Sequence, residues 1–269
     1  MKVLDLFSGI GGFSLGLERA GMHTVAFCEI DPFARQVLKK HWPKTPVCDD
    51  VRTMRGTEYG AIDVVCGGFP CTDISRAGKM AGLAGERSGL WGEMRRIIGE
   101  AAPKFVIIEN VARLCADGLD TVLTDLDALG FDAEWHCIPG FAVGAPQVRD
   151  RVYVVAHSRA LGHRGSGWVG RWLSGAEEAR RHGWRGEPQG NVQLWTEPAL
   201  DRVAYGVPCG VDGCRKLGNA VIPQIPELLG RAILATYNAG IYRARSDPRR
   251  MKCYAGNGEG DDYEFTSTG

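Results

Sequence analysis

Five short apolar runs, separated by amphipathic stretches, constrain what this chain can fold into more than any other feature. KVLDLF (2–7), TVAFCE (24–29), IDVVCG (62–67), KFVIIE (104–109) and RVYVVA (151–156) are strand-length, rich in β-branched residues and apolar on both faces. A strand buried on both faces belongs in a sheet covered on both sides, as parallel strands are. The stretches between them carry helix punctuation. GFSLGLERAG ends in a capping glycine, and Asp31-Pro32 supplies N-cap and first-turn chemistry ahead of FARQVLKKH. SGLWGEMRRIIGEA and LDTVLTDLDALG read the same way. This alternation predicts an α/β fold with a doubly wound, mostly parallel sheet.

The alternation breaks near His157. From Ser158 to Leu200 the chain is rich in Gly, Arg and Trp without a clean period, and regular signal returns at GNAVIPQIPELLGRAILATYNAG. The expected organisation is a catalytic and cofactor-binding domain over 1–157, a small insert over 158–200, a segment over 201–242 that returns to the main domain, and a disordered tail over 243–269. With 269 residues, 44% of them hydrophobic, there is enough chain for one large core plus a small unit. The formal net charge is zero, which argues against indiscriminate attraction to nucleic acid but leaves room for local patches. Nine cysteines without C-x-x-C spacing fit a reducing compartment. Cys209 and Cys214 lack a matching second pair, so no metal is expected. MKVLDLFSG has no charged leader before a long apolar core, and no apolar run reaches membrane-spanning length. A cytoplasmic protein without a membrane partner is expected.

Strand one runs into FSGIGGF (7–13), whose glycines let backbone approach a ligand closely. Their spacing, Gly9, Gly11, Gly12 and Gly16, does not meet the G-x-G-x-x-G dinucleotide pattern. Glu29 stands at the end of strand two, where an acid accepts from ribose hydroxyls, and Asp50 stands where one accepts from an adenine amine. A turn-glycine cluster with a helix-capping acid would use the same residues. The combination points to a nucleoside cofactor without a pyrophosphate, which S-adenosylmethionine satisfies.

DLFSGIGGFSLGLERAG, GGFPC (67–71), ENV (109–111), QVRDR (147–151) and GNAV (218–221), in that order, resemble the motif set of the cytosine-C5 DNA methyltransferases. The resemblance covers residues 1–157 and 201–235. It implies a class I S-adenosylmethionine-dependent methyltransferase fold acting on double-stranded DNA, as a monomer, with a cognate restriction endonuclease as a separately acting partner. It implies that Cys71 is the nucleophile, a role that suits a thiolate because it attacks well and leaves well. Pro70 would set the entry angle of Cys71. Glu109 would contact the ring N3 and exocyclic amine in a protonated or proton-sharing state, Asn110 would hold the loop, and Val111 would pack. Arg151 would reach the cytosine O2, with Arg149 supporting the thiol loop and Glu109. The cofactor would lie against Phe7, Ser8, Gly9, Ile10, Gly11, Glu29, Ile30, Asp50, Val51 and Pro70, completed by Asn219, Ala220 and Val221. The loop 72–90 matches the segment that closes over the base, with Ser75 and Arg87 as DNA contacts.

The chain departs from the family in one place. Where a long target-recognition region is usual, about forty residues stand, with RVAYGVPCGVD after them. The insert holds Arg159, Arg164, Arg171, Arg180, Arg181 and Arg185 among Trp168, Trp172, Trp184 and Trp195. Arg164, Arg171 and Arg185 are the candidate nucleic-acid contacts. A Trp-cored subdomain with solvated arginines is the alternative, and Glu177, Glu178 and Glu187 dilute the patch. Two other functions stay open: a tRNA cytosine-5 methyltransferase, and a methyltransferase-like protein that binds DNA without turnover.

Overall fold

The computed structural model of the protein describes residues 1–70, 89–143, 145, 149–162 and 220–238. Within these residues, seven strands form one sheet: β1 (Lys2–Leu6), β2 (His23–Cys28), β3 (Val47–Cys48), β4 (Val64–Gly67), β5 (Phe105–Val111), β6 (Phe131–Pro139) and β7 (Asp150–Ser158). The helices are α1 (Gly12–Arg19), α2 (Pro32–His41), α3 (Gly89–Ala101), α4 (Leu119–Ala128) and α5 (Gln224–Asn238). The strand order is β3-β2-β1-β4-β5-β7-β6. Pairing is parallel from β3 through β5, and β7 runs antiparallel between β5 and β6. The expected mostly parallel, doubly wound sheet is therefore present.

Alternation along each strand divides the core in two. Leu4, Leu6, Val65, Val106, Ile108 and Val152 face α3 and α4, where Trp91, Met94, Ile97, Ile98, Val122 and Leu126 meet them. Val3, Val64, Phe105, Ile107, Tyr153 and Val155 face the other way, against Phe13 and Leu17 of α1 and Ile225, Leu229 and Ile233 of α5. Each such side chain, fully buried, contributes about 1.5–3 kcal/mol. Helix α2 begins as its sequence predicts: Pro32 occupies its first turn and the Asp31 carboxylate accepts from the Ala34 N–H at 2.9 Å. In α1, a Cβ on Gly16 would stand 2.2 Å from the Pro223 carbonyl oxygen, so the absence of a side chain there lets the α5 entry lie directly on α1.

Two elements differ from expectation. β6 was not among the predicted strands, because Asp132, Glu134 and His136 interrupt its apolar pattern, as an edge strand permits. β7 reads like a parallel strand because it is buried on both faces, yet it is antiparallel; Val152 and Val154 enter one core layer and Tyr153 and Val155 the other. The insert beyond Gly162, the returning segment apart from residues 220–238, and the tail lie outside the described residues. Arg159 is described and is not a free member of the insert's basic set. It forms ion pairs with Asp127 and Asp132 (2.8 Å to the latter) and donates to the Phe131 carbonyl at 3.2 Å. It thus ties the end of β7 to the α4–β6 turn.

Candidate active site

The carboxyl ends of β1 to β5 and the start of the reversed strand β7 converge on one sheet edge, and the chain changes direction of growth between β1 and β4. Such a switch point leaves a crevice where ligands bind in open α/β sheets. On its β1 side the turn from Phe7 to Gly11 is tightly specified. Phe7 and Gly9 both have φ of 53° and Gly11 has φ of 89°. A left-handed conformation at a phenylalanine is uncommon, and such strain concentrates at ligand-binding sites. A Cβ on Gly9 would meet no atom within 4 Å, so the turn is open there.

Glu29 braces this turn. Its Oε2 accepts from the Gly9 N–H at 2.7 Å and its Oε1 from the Asp31 N–H at 2.8 Å. Each carboxylate oxygen keeps a second lone pair, so the same group can also receive hydroxyl donors. The Ser8 hydroxyl is turned inward, within donating distance of the carbonyls of Asp5 (2.7 Å) and Cys28 (3.2 Å). Ile30, beside Glu29, is 66% exposed, an apolar surface next to an acceptor. Asp50 Oδ1 receives the Arg52 N–H at 2.9 Å, while among the described residues no ionic partner reaches Oδ2. The Val51 side chain is buried in the core. Acceptors at Glu29 and Asp50, an apolar face at Ile30 and an open glycine turn fit the ribose, adenine amine and ring of a nucleoside cofactor.

Ala220 and Val221 meet the same turn from the far end of the chain. With Ile10, Gly11, Gly12 and Leu15 they line a largely apolar cavity of about 300 Å³. The Val221 carbonyl oxygen lies 2.5 Å from where a Cβ on Gly12 would stand.

The β5 side carries the charge cluster. Glu109 is 8% exposed, with Arg151 Nε at 3.0 Å from Oε1 and Arg149 Nη2 at 3.8 Å. Neither contact is aligned as a hydrogen bond to Oε1, so that oxygen has charge neighbours without a directed donor. Burial raises the Glu109 carboxyl above its usual range, outweighing the opposing pull of Arg151 and Arg149. Burial, with Arg151 nearby, lowers Arg149. Tyr153 pairs with Glu109 across β5 and β7; burial pushes its phenol well up, and the charge of Glu109 acts in the same sense.

The loop leaving β4 is held against this cluster. A Cβ on Gly68 would come within 2.9 Å of Glu109 Oε2, and the Asn110 side-chain amide donates to the Phe69 carbonyl at 3.0 Å. Phe69 packs on Trp91 with ring centroids 5.3 Å apart, and Pro70 is exposed. The role of Gly68 was not foreseen, although the glycine doublet before FPC was its signal. Asp5 and Tyr153 were likewise not foreseen. Cys71, Ser75, Arg87, Arg164, Arg171, Arg185 and Asn219 lie outside the described residues.

Comparison with known proteins agrees with this geometry. Residues 1–179 match the family model of C-5 cytosine-specific DNA methylases. The Type II methyltransferase M2.BsuMI of Bacillus subtilis (strain 168) is 40% identical over 164 residues, 58% of this chain and 42% of its own length. The Type II methyltransferase M.NgoMIV of Neisseria gonorrhoeae is 37% identical over 158 residues, 57% of this chain and 50% of its own. The chain thus spans half or less of the length of these relatives. Among solved structures, a candidate DNA modification methyltransferase encoded within an E. coli prophage superposes with TM-score 0.52 at 26% identity, covering 62% of this chain and 49% of that one. A Spodoptera frugiperda DNMT2 variant has the same fold, with TM-score 0.52 at 22% identity over 61% of this chain and 52% of its own.

Proposed function

Because the chain belongs to the C-5 cytosine-specific DNA methylase family, we propose that it methylates carbon 5 of cytosine in double-stranded DNA, with Cys71 as the nucleophile. One juxtaposition supports this most directly: the backbone leading to Cys71 passes against the Glu109 carboxyl at Gly68, and Asn110 grips it at Phe69. The chain is thus held beside a buried acid three residues before it reaches Cys71 in the sequence.

S-adenosylmethionine, held by the Phe7–Gly11 turn, Glu29, Ile30, Asp50 and the Ala220–Val221 segment, supplies an electrophilic methyl group. The remaining work falls to the protein. Cytosine C5 is a poor nucleophile until its ring loses aromaticity. The Cys71 thiolate adds to C6, and the electron pair displaced from the C5–C6 bond makes C5 enamine-like. Glu109 in its neutral form donates to N3 and neutralises the charge that develops there. Arg151 and Arg149 hold Glu109 in place, with Arg151 directed at the cytosine O2. Once C5 has taken the methyl group, loss of the C5 proton to water expels the Cys71 thiolate, and N3 returns its proton to Glu109 as the ring is restored. A duplex buries its bases, so the target rotates out of the stack to reach this crevice. Action as a cytoplasmic monomer alongside a separately acting endonuclease belongs to the same reading; among the described residues no helix is long and apolar enough to cross a membrane.

The test is transfer of labelled methyl groups from S-adenosylmethionine to a mixed-sequence duplex and to a tRNA pool, by the protein and by Cys71→Ser. Labelled DNA with 5-methylcytosine at a defined sequence, abolished in Cys71→Ser, is the expected result. Label confined to tRNA would keep the chemistry and overturn the substrate. Cofactor binding without transfer to either would overturn the enzymatic reading.

A further inference from the structure

Beside the crevice, the described residues hold a pair of thiols that the proposed reaction does not use. Cys115, in the 3-10 turn Ala112–Cys115 that follows β5, and Cys137, on edge strand β6, place their Sγ atoms 3.8 Å apart, and both are exposed. They stand 22 positions apart on different elements, so only the folded chain brings them together. The other described thiols are less accessible, including Cys28 and Cys48, which face each other across β2 and β3. Cys28 and Cys66 are buried, and Cys48 Sγ lies 3.3 Å from the Asp50 carbonyl oxygen. We propose that Cys115 and Cys137 are a redox-sensitive dithiol, which a low-molecular-weight disulfide such as oxidised glutathione converts into an intramolecular disulfide.

A metal would need more ligands than this pair offers. Among the described residues no group of three or more His, Cys, Asp or Glu side chains is arranged to hold an ion. A disulfide needs only the two sulfurs, closing from 3.8 Å to about 2 Å, and side chains on a surface turn and an edge strand have room to rotate. Partial burial and the contact with Cys137 push the Cys115 thiol above its usual range, which disfavours Cys115 as the first nucleophile. Having lost its proton to water, Cys137 Sγ attacks one sulfur of glutathione disulfide and expels one glutathione thiolate. Cys115 then releases its proton, attacks Cys137 Sγ and expels the second. Two thiols are oxidised by two electrons, and one glutathione disulfide is reduced to two glutathione molecules.

The bond would join two segments that flank the crevice. Cys115 follows Glu109 and Asn110 on the same run of chain, and Cys137 pairs with Val152, next to the pairing of Ile138 with Arg151. Closure would restrain the turn after β5 against the strand pair that carries Arg151.

Trypsin makes the test clean. Cleavage after Arg113 and Arg149 releases a peptide, residues 114–149, that contains Cys115 and Cys137 and none of the other seven cysteines. The native protein is incubated with a glutathione redox series, alkylated and digested. The expected product is this peptide two hydrogen masses lighter and unalkylated, formed before any disulfide between two other peptides and reversed by a thiol reductant. Cys115→Ser and Cys137→Ser should each give a single mixed glutathione adduct at the remaining thiol. The proposal is overturned if the native peptide stays doubly alkylated while other cysteines oxidise. It is equally overturned if the peptide takes two glutathione adducts without closing.

Discussion

At the residue scale, two buried acids sit on the same face of the sheet with different surroundings. Asp5 is fully buried, receives the Ser14 hydroxyl at 2.6 Å and lies opposite Cys66 on β4; burial pushes its carboxyl up to about 7. A carboxyl raised on folding stabilises the native state while protonated, and that contribution fades as pH climbs from its unfolded value of 3.8 towards 7. The change amounts to about 4 kcal/mol for a shift of this size. Denaturant unfolding of the protein and of Asp5→Asn should show the difference between them moving by this order over that window, in favour of Asn at higher pH. A pH-independent difference would refute it. Glu109 is also raised by burial, but between two arginines, and in the proposed reaction its neutral form is the working one. Methyl transfer should therefore decline as pH rises through its raised pKa, and Glu109→Gln should lack that limb. Glu109→Ala should lower transfer by about 10²–10⁴-fold with cofactor binding retained; an unaltered rate would remove Glu109 from the chemistry. Both acids are legible in the sequence as letters, in DLFSG and ENV. Their burial depends on what α1, α5 and β7 bring over them, which no local pattern contains.

At the element scale, the contact between α1 and α5 is set by glycine. Gly16→Ala would drive a Cβ into the Pro223 carbonyl and to 2.8 Å from the Glu227 nitrogen, both backbone atoms. Gly92, on α3, has no atom within 4 Å of its Cβ position. In an open helix site alanine is favoured by up to about 1 kcal/mol, whereas overpacking costs about 1–3 kcal/mol. Thermal unfolding should thus show Gly16→Ala destabilised and Gly92→Ala unchanged or stabilised; equal effects would mean that α5 yields easily. The strands teach a related lesson. Burial on both faces identified β7 as an interior strand but says nothing of its direction. Direction follows from the ten residues between Pro139 and Asp150, a connection short enough for antiparallel neighbours and too short for a helical crossover. β6 escaped notice because an edge strand needs only one apolar face.

At the scale of the whole molecule, α5 closes a core whose other parts lie more than sixty residues earlier in the chain. Ile225, Leu229 and Ile233 cover the face formed by Val3, Val64, Phe105 and Ile107, and the preceding Val221 and Pro223 lie on α1. Removing everything from residue 220 onward uncovers that face together with the side of the glycine turn. The truncated protein should bind an apolar dye and lose its near-ultraviolet circular dichroism, while far-ultraviolet signal from the sheet and remaining helices persists. A truncated chain with native near-ultraviolet signal would show that the first 219 residues complete their own core.

Local chemistry by itself determined the α/β class, all five described helices, five of the seven described strands, and the order of motifs that names the family. These are matters of period, punctuation and residue type, written in adjacent positions. Tertiary structure decided the reversal of β7, the edge strand β6, the engagement of Arg159 by Asp127 and Asp132, and the meeting of Cys115 with Cys137. It also decided that Gly68 must lack a side chain, because Glu109 lies against it. Each of these depends on which segments become neighbours. Neighbourhood is settled by burying apolar faces against one another, and that balance is struck over the whole chain at once.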